Sequence, residues 1–187
     1  MHPIPSSIPG VVEIRPIHHA DSRGYFSECF RADWFEKNIG GARFVQDNLS
    51  FNEPEGVIRG LHFQAPPFAQ GKLVQCVSGA IFDVAVDIRS GSPTFAKWVG
   101  VKLDSVEGNQ LWIPPGFLHG FCTLSRNVLV SYKVTAYYSR EHDFGVRWND
   151  PDIAIDWPRI ANADQLSARD RVQPLLRELP TYFKNQE

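Results

Sequence analysis

Lys72-Leu73-Val74-Gln75-Cys76-Val77-Ser78-Gly79-Ala80-Ile81-Phe82-Asp83-Val84-Ala85-Val86-Asp87-Ile88 decides the fold class, because two β-rich runs meet across Ser78-Gly79. That pattern predicts a hairpin with a glycine-containing turn. In its second arm Phe82, Val84, Val86 and Ile88 share one face, and Asp83 and Asp87 share the other. Carboxylates along one face of a strand ordinarily meet water, so a solvated face is expected. A barrel lumen lined with polar groups is the sharper alternative.

The same texture extends outward from this hairpin. Short β-rich segments at 11–15, 25–30, 44–51 and 57–64 precede it, and 97–103, 110–113, 118–124 and 128–135 follow, separated by Gly, Pro, Asn, Asp and Ser. Many short strands with close turns predict a mostly β sandwich or barrel. Two helices interrupt it. Over 31–39, Trp34, Phe35 and Ile39 have helical spacing before Gly40-Gly41. Over 167–179, Ser167 is the expected N-cap, Asp170 lies in the first turn, and Leu175, Leu176 and Leu179 form a buried stripe. With no repeat, low-complexity segment or linker, one domain is expected over 1–187.

Composition excludes several function classes. A net charge of -2 with dispersed basic residues gives no long-range field for nucleic acid, so phosphate recognition has to be local. No apolar run approaches membrane-spanning length, and Met1-His2-Pro3-Ile4-Pro5 has no basic region ahead of an apolar core, so a cytoplasmic protein is expected. Cys29, Cys76 and Cys122 are widely spaced with no CxxC pair and read as reduced core residues.

Val57-Ile58-Arg59-Gly60-Leu61-His62-Phe63-Gln64 places a titratable ring inside a strand-like run. On its own it reads first as a buried histidine beside a surface arginine, and as a proton-transfer and phosphate-binding pair second. Arg59 and His62 are three apart, which in a regular strand puts them on opposite faces. A bulge at Gly60 would reconcile them, as would service by Arg59 near a partner subunit's site. Tyr132 lies on the apolar face of Val128, Val130 and Val134, where a core role is the ordinary reading. No Gly-rich phosphate loop, HExxH or nucleophile elbow occurs.

Pro114-x-Gly116-x-x-His119 resembles the second motif of the cupin superfamily of jelly-roll barrels. Metal-binding cupins carry a His-x-His pair in an earlier motif, where this chain reads His62-Phe63-Gln64, so a metal-free cupin without a cofactor is expected. With Arg59-Gly60-Leu61-His62-Phe63-Gln64, Gly71-Lys72-Leu73-Val74, Phe82-Asp83-Val84-Ala85-Val86-Asp87, Ile113-Pro114-Pro115-Gly116-Phe117 and Trp148-Asn149-Asp150-Pro151 in order, the chain is similar to the dTDP-4-dehydrorhamnose 3,5-epimerase family. The resemblance implies a cupin-type jelly-roll barrel with short helices, one of them C-terminal. It implies inversion of carbons 3 and 5 of a dTDP-4-keto-6-deoxy sugar, a homodimer, and no nucleic-acid or membrane partner.

Residue by residue, the resemblance implies His62 as base, Asp170 as its carboxylate, Tyr132 as acid and Lys72 as the cation at the enolate oxygen. It places His119 and Asp83 in the same barrel, with Asp83 holding either Lys72 or His119. Arg23, Glu28, Gln46, Asn48, Arg59 and Arg169 fall at positions that contact nucleotide, and Tyr138 and Asp143 join the binding residues. Ala136, where relatives often carry an acid, and Asp143, near a frequent glutamate, are departures. Rival readings are a single-carbon epimerase or ketoisomerase, a metal-dependent cupin oxygenase, and a non-catalytic sugar-binding cupin.

Overall fold

The computed structural model describes residues 1–185. In chain order its elements are β1 (His2–Pro5), β2 (Val12–Arg15), β3 (His19–Asp21), β4 (Gly24–Phe26), α1 (Ala32–Asn38), β5 (Gln46–Asn52), β6 (Ile58–Gln64), β7 (Lys72–Ser78) and β8 (Ala80–Asp87). They continue with β9 (Arg89–Ser90), β10 (Trp98–Asp104), β11 (Gln110–Ile113), β12 (Phe117–Thr123), β13 (Val128–Val134), β14 (Asp143–Gly145), α2 (Ala168–Arg171) and β15 (Phe183–Lys184). A six-stranded sheet in the order β1-β2-β11-β7-β13-β5 faces a five-stranded sheet in the order β10-β8-β12-β6-β14. From β5 to β8, and again from β10 to β14, successive strands alternate between the sheets, which is the winding of a jelly roll.

Val74, Cys76, Leu111, Val128 and Val130 from one sheet meet Ile81, Ala85, Leu103, Phe117 and Phe121 from the other in the central core. The outer face of the five-stranded sheet is covered as well, because Val84, Val86, Leu61, Phe63 and Leu118 pack under Val146, Ile153 and Leu176 of the C-terminal coil. Both faces of β8 are therefore dry. The expected solvated face is overturned, since Asp83 and Asp87 are fully buried. Asp87 is satisfied by the loop it closes: its carboxylate accepts from Arg89 N, Nε and Nη2, from Ser92 Oγ and from Thr94 Oγ1. Burial pushes its pKa up, but these donors hold it below the usual carboxylate range.

Four further expectations change. The hairpin expected across Ser78-Gly79 does not form: β7 pairs with β11 and β13 in one sheet and β8 with β10 and β12 in the other, so Ser78-Gly79 is the crossover between the sheets. The helix expected over 167–179 reduces to the single turn Ala168–Arg171 and a 3-10 turn at Leu176–Glu178. Pro174 between them lacks the N–H a continuous helix needs, and the N–H of Leu176 is instead taken by buried Asp150 Oδ2 at 2.7 Å. The strand expected over 25–30 is confined to Gly24–Phe26, paired with β3 in an exposed hairpin. Cys76 and Cys122 are buried as expected, but Cys29 is exposed. Helix α1 stands where expected, sealing the outer face of the six-stranded sheet with Phe35 edge-on to Trp112 at 5.1 Å.

Candidate active site

Strands β6 and β12 are in register at His62–His119 and again at Arg59–Phe121, so Gly120 alone faces Gly60 and Leu61. This is the bulge that puts Arg59 and His62 on one face, and both line the same cavity. Gly60 has φ +122°, and a Cβ there would lie 2.6 Å from Gly120 Cα and 2.8 Å from the His119 carbonyl oxygen. Only glycine fits the position.

The cavity, of about 660 Å³, opens between the two sheets. Its five-stranded wall carries Arg59, His62 and His119, and its six-stranded wall carries Lys72 and Tyr132. A smaller lobe of about 290 Å³ is lined by Gln46, Asn48, Gln64, Gln70, Tyr138 and Asp143. His62, Lys72, Tyr132 and Arg169 border both spaces and so form the neck between them.

His62 is held from behind by α2. Its Nε2 lies 2.5 Å from Asp170 Oδ1, and Ser167 Oγ donates to the other carboxylate oxygen at 2.9 Å while accepting from Asp170 N at 3.1 Å. Burial raises the Asp170 pKa, but His62, Ser167 and Arg169 outweigh it and keep the carboxyl below its usual value. An ionised carboxylate only accepts, so Nε2 of His62 carries a hydrogen toward Asp170 and Nδ1 is the ring nitrogen left to exchange a proton. His119 repeats the arrangement, with Nε2 donating to Asp83 Oδ1 at 2.8 Å; burial lowers its pKa against the pull of Asp83 and keeps the ring neutral at pH 7. Asp83 thus holds His119, and its Oδ2 has no hydrogen-bond partner.

On the opposite wall Lys72 is drawn down to about 8 by desolvation, against the attraction of Asp143 and Asp83. Tyr132, partly buried against the central core, has its pKa raised by burial and Asp143, with Arg59 opposing, so the phenol stays protonated at neutral pH. The site therefore presents the His62 and His119 imidazoles on one sheet and a phenol and an ammonium on the facing one. Such a pair can remove a proton from one face of a bound molecule and return one to the other.

The remaining expected residues divide. Arg169 lies on the rim, with Nη1 donating to Asp143 Oδ2 at 2.5 Å and Nη2 to the Asp143 carbonyl oxygen at 3.0 Å. Gln46 spends its amide within the protein, donating to Asn48 Oδ1 at 2.8 Å and accepting from Tyr138 N at 3.1 Å. Arg23 and Glu28 are exposed on or beside the β3–β4 hairpin, Arg23 is paired with Asp21 at 2.6 Å, and neither lines the cavity of this chain.

Asn52 was not among the expected residues. It is 3% exposed, and its Oδ1 accepts from Arg59 Nε at 2.6 Å. The signal for it lies in the alternation of β5, where Gln46, Asn48, Ser50 and Asn52 are polar at every second position. That is the pattern of a strand facing a polar lumen.

The family model described as dTDP-4-dehydrorhamnose 3,5-epimerase matches residues 5–178 of the chain. A Sinorhizobium fredii protein named dTDP-4-dehydrorhamnose 3,5-epimerase is 55% identical over 95% of this chain and 91% of its own length. A solved dTDP-6-deoxy-D-glucose-3,5-epimerase from Legionella pneumophila Philadelphia 1, in complex with dTDP-4-keto-L-rhamnose, superposes with TM-score 0.92 at 43% identity, over 100% of this chain and 99% of that one. A Streptomyces niveus protein named dTDP-4-dehydrorhamnose 3-epimerase is 42% identical over 95% of this chain and 88% of its length.

Proposed function

The chain belongs to the dTDP-4-dehydrorhamnose 3,5-epimerase family, and on that premise we propose that it converts dTDP-4-dehydro-6-deoxy-D-glucose to dTDP-4-dehydro-L-rhamnose. The observation that carries the reading is the facing of His62 and Tyr132 from two sheets across one cavity. Carbons 3 and 5 of the substrate both flank the 4-keto group, so either C–H is acidified by delocalisation into an enolate.

His62 takes the proton on one face, and Asp170 fixes its tautomer and stabilises the imidazolium. The Lys72 ammonium stabilises the enolate oxygen, with neutral His119 beside it. Tyr132 returns a proton on the opposite face, and inversion is the result. Arg59, anchored by Asn52, and Arg169 meet the diphosphate, for which a guanidinium fork is suited. An incoming diphosphate competes with Asp143 for Arg169.

Arg23 and Glu28 belong to this reading through a second copy of the chain. The hairpin that carries Arg23 exposes Tyr25 (54%) and Phe26 (68%), and edge strand β5 exposes Leu49 (66%) and Phe51 (58%). These are the surfaces of a homodimer in which the hairpin of one copy reaches the cavity of the other. We read the chain as a single domain acting in the cytoplasm, because a charged nucleotide sugar does not cross a bilayer unaided. Among the described residues no helix is long and apolar enough to cross a membrane.

Incubation with the 4-keto sugar nucleotide in deuterium oxide tests the activity. Deuterium at both carbon 3 and carbon 5 is the expected outcome. Label at carbon 3 alone supports a single epimerase, a reading that the Streptomyces niveus relative keeps in view, and migration of the keto group points to an isomerase.

A further inference from the structure

Gln64 stands where metal-binding cupins carry their second histidine, and neither the proton transfers nor the diphosphate contacts use it. Its side chain is buried, at 3% exposure. Its Nε2 donates to the Phe68 carbonyl oxygen at 2.8 Å and to that of Tyr137 at 3.1 Å, while Oε1 accepts from Ser139 N at 2.7 Å. Two carbonyls need two donors and one N–H needs an acceptor, so a primary amide fills all three demands. A carboxylate brings no donor and a neutral imidazole only one.

Two more glutamines act on the same stretch. Gln70 Nε2 donates to the Ala136 carbonyl oxygen at 2.7 Å, and Gln46 Oε1 accepts from Tyr138 N at 3.1 Å. Residues 136–139 leave β13 and lie outside every strand, so side-chain amides replace the sheet neighbour that would otherwise satisfy this backbone. The three glutamines and Tyr138 also line one space, the smaller lobe. Tyr138 is 58% exposed, so packing does little to fix its ring, whose place depends on the backbone beneath.

We infer that Gln64, supported by Gln70 and Gln46, is a positioning residue for nucleotide-sugar binding: it clamps the 136–139 backbone so that the Tyr138 ring forms a preset wall of the smaller lobe. The inference rests on reading that lobe as part of the nucleotide-sugar site. A wall ordered before the ligand arrives spares the complex the entropy of ordering it. Its loss therefore falls on binding and spares the proton transfer.

Turnover of the dTDP-4-keto-6-deoxy sugar by the full chain is to be compared with that of Gln64→Met, Gln70→Ala, Tyr138→Ala and the double variant Gln64→Met/Tyr138→Ala. Gln64→Met is expected to raise KM about tenfold while kcat changes by less than about threefold. Gln70→Ala moves KM the same way by less. The double variant has a KM no higher than its worse parent, because both changes act through one ring. KM rises that multiply in the double variant, or a fall in kcat at unchanged KM, overturn the clamp.

Should Gln64→Met not fold, Gln70→Ala removes a single hydrogen bond, and Gln70→Ala/Tyr138→Ala makes the same comparison. Wild-type turnover with unchanged KM in the glutamine variants removes the clamp and leaves the epimerase reading standing. Absence of wild-type turnover removes both.

Discussion

Asp170 is hydrogen-bonded to His62, and the imidazole depends on it for tautomer and for the charge it gains. Asp170→Asn is expected to lower kcat by about two to four orders of magnitude with a small effect on KM, read by steady-state kinetics. Tyr132→Phe keeps the ring in the core and removes the proton donor. It is expected to abolish inversion while exchange of substrate hydrogen into deuterium oxide persists, and loss of both together would remove Tyr132 from the acid's role. Lys72 sets the alkaline limit. With its pKa lowered to about 8, the ammonium at the enolate is lost as pH rises through that value, so kcat falls on the alkaline side. The sign for stability is opposite. Between about 8 and 10.5 the unfolded chain binds the proton that the folded chain has released, so Lys72 makes stability rise with pH there. Below that window the charged, desolvated amine is a cost, and Lys72→Met is expected to stabilise the fold at pH 7 while nearly abolishing turnover. Thermal melts alongside the kinetics show whether function and stability separate in this way.

The element that organises the site is the bulge between β6 and β12. Gly60→Ala drives a methyl into the Gly120 backbone at a left-handed φ, and is expected to cost about 2–4 kcal/mol in denaturant unfolding. If the bulge slips instead, Arg59 turns from the lumen, and dTDP affinity falls before the barrel melts. The short α2 shows what one helical turn can do: Ala168–Arg171 is too short to be stable alone, but Ser167 caps it, Asp170 fastens it to β6, and Arg169 fastens it to β14. The alternating period of the strands and the capping Ser167 were legible along the chain. The end of this helix was written there too, in Pro174, and only the partner that takes the Leu176 N–H, Asp150 26 residues away, was not.

At the scale of the whole molecule, the expected dimer makes a prediction that one chain cannot fulfil. A mixture of Arg23→Ala and His62→Ala proteins, refolded together, contains sites with an intact His62 served by an intact hairpin from the other copy. Recovery of up to about a quarter of wild-type activity, above that of either variant alone, is expected if the hairpin acts across the interface. No recovery places Arg23 in its own site or in none. Part of this could be read along the chain, because residue identity and a period of two are local properties: the β texture, the polar alternation of β5 and the single histidine in a cupin-like motif lie in plain order, while the roles of His62, Lys72 and Tyr132 came from the resemblance that the ordered motifs carry. Only the tertiary structure decided that Asp83 and Asp87 are buried, since their face of β8, shared with Ile81 and Ala85, turns inward toward the six-stranded sheet, while a coil from the far end of the chain covers Val84 and Val86 on the other face. It alone set Arg59 beside His62, Asp170 behind it, and Arg23 and Glu28 outside the cavity. Register and contacts across about a hundred residues are fixed by packing between strands, and no local run of sequence carries that information.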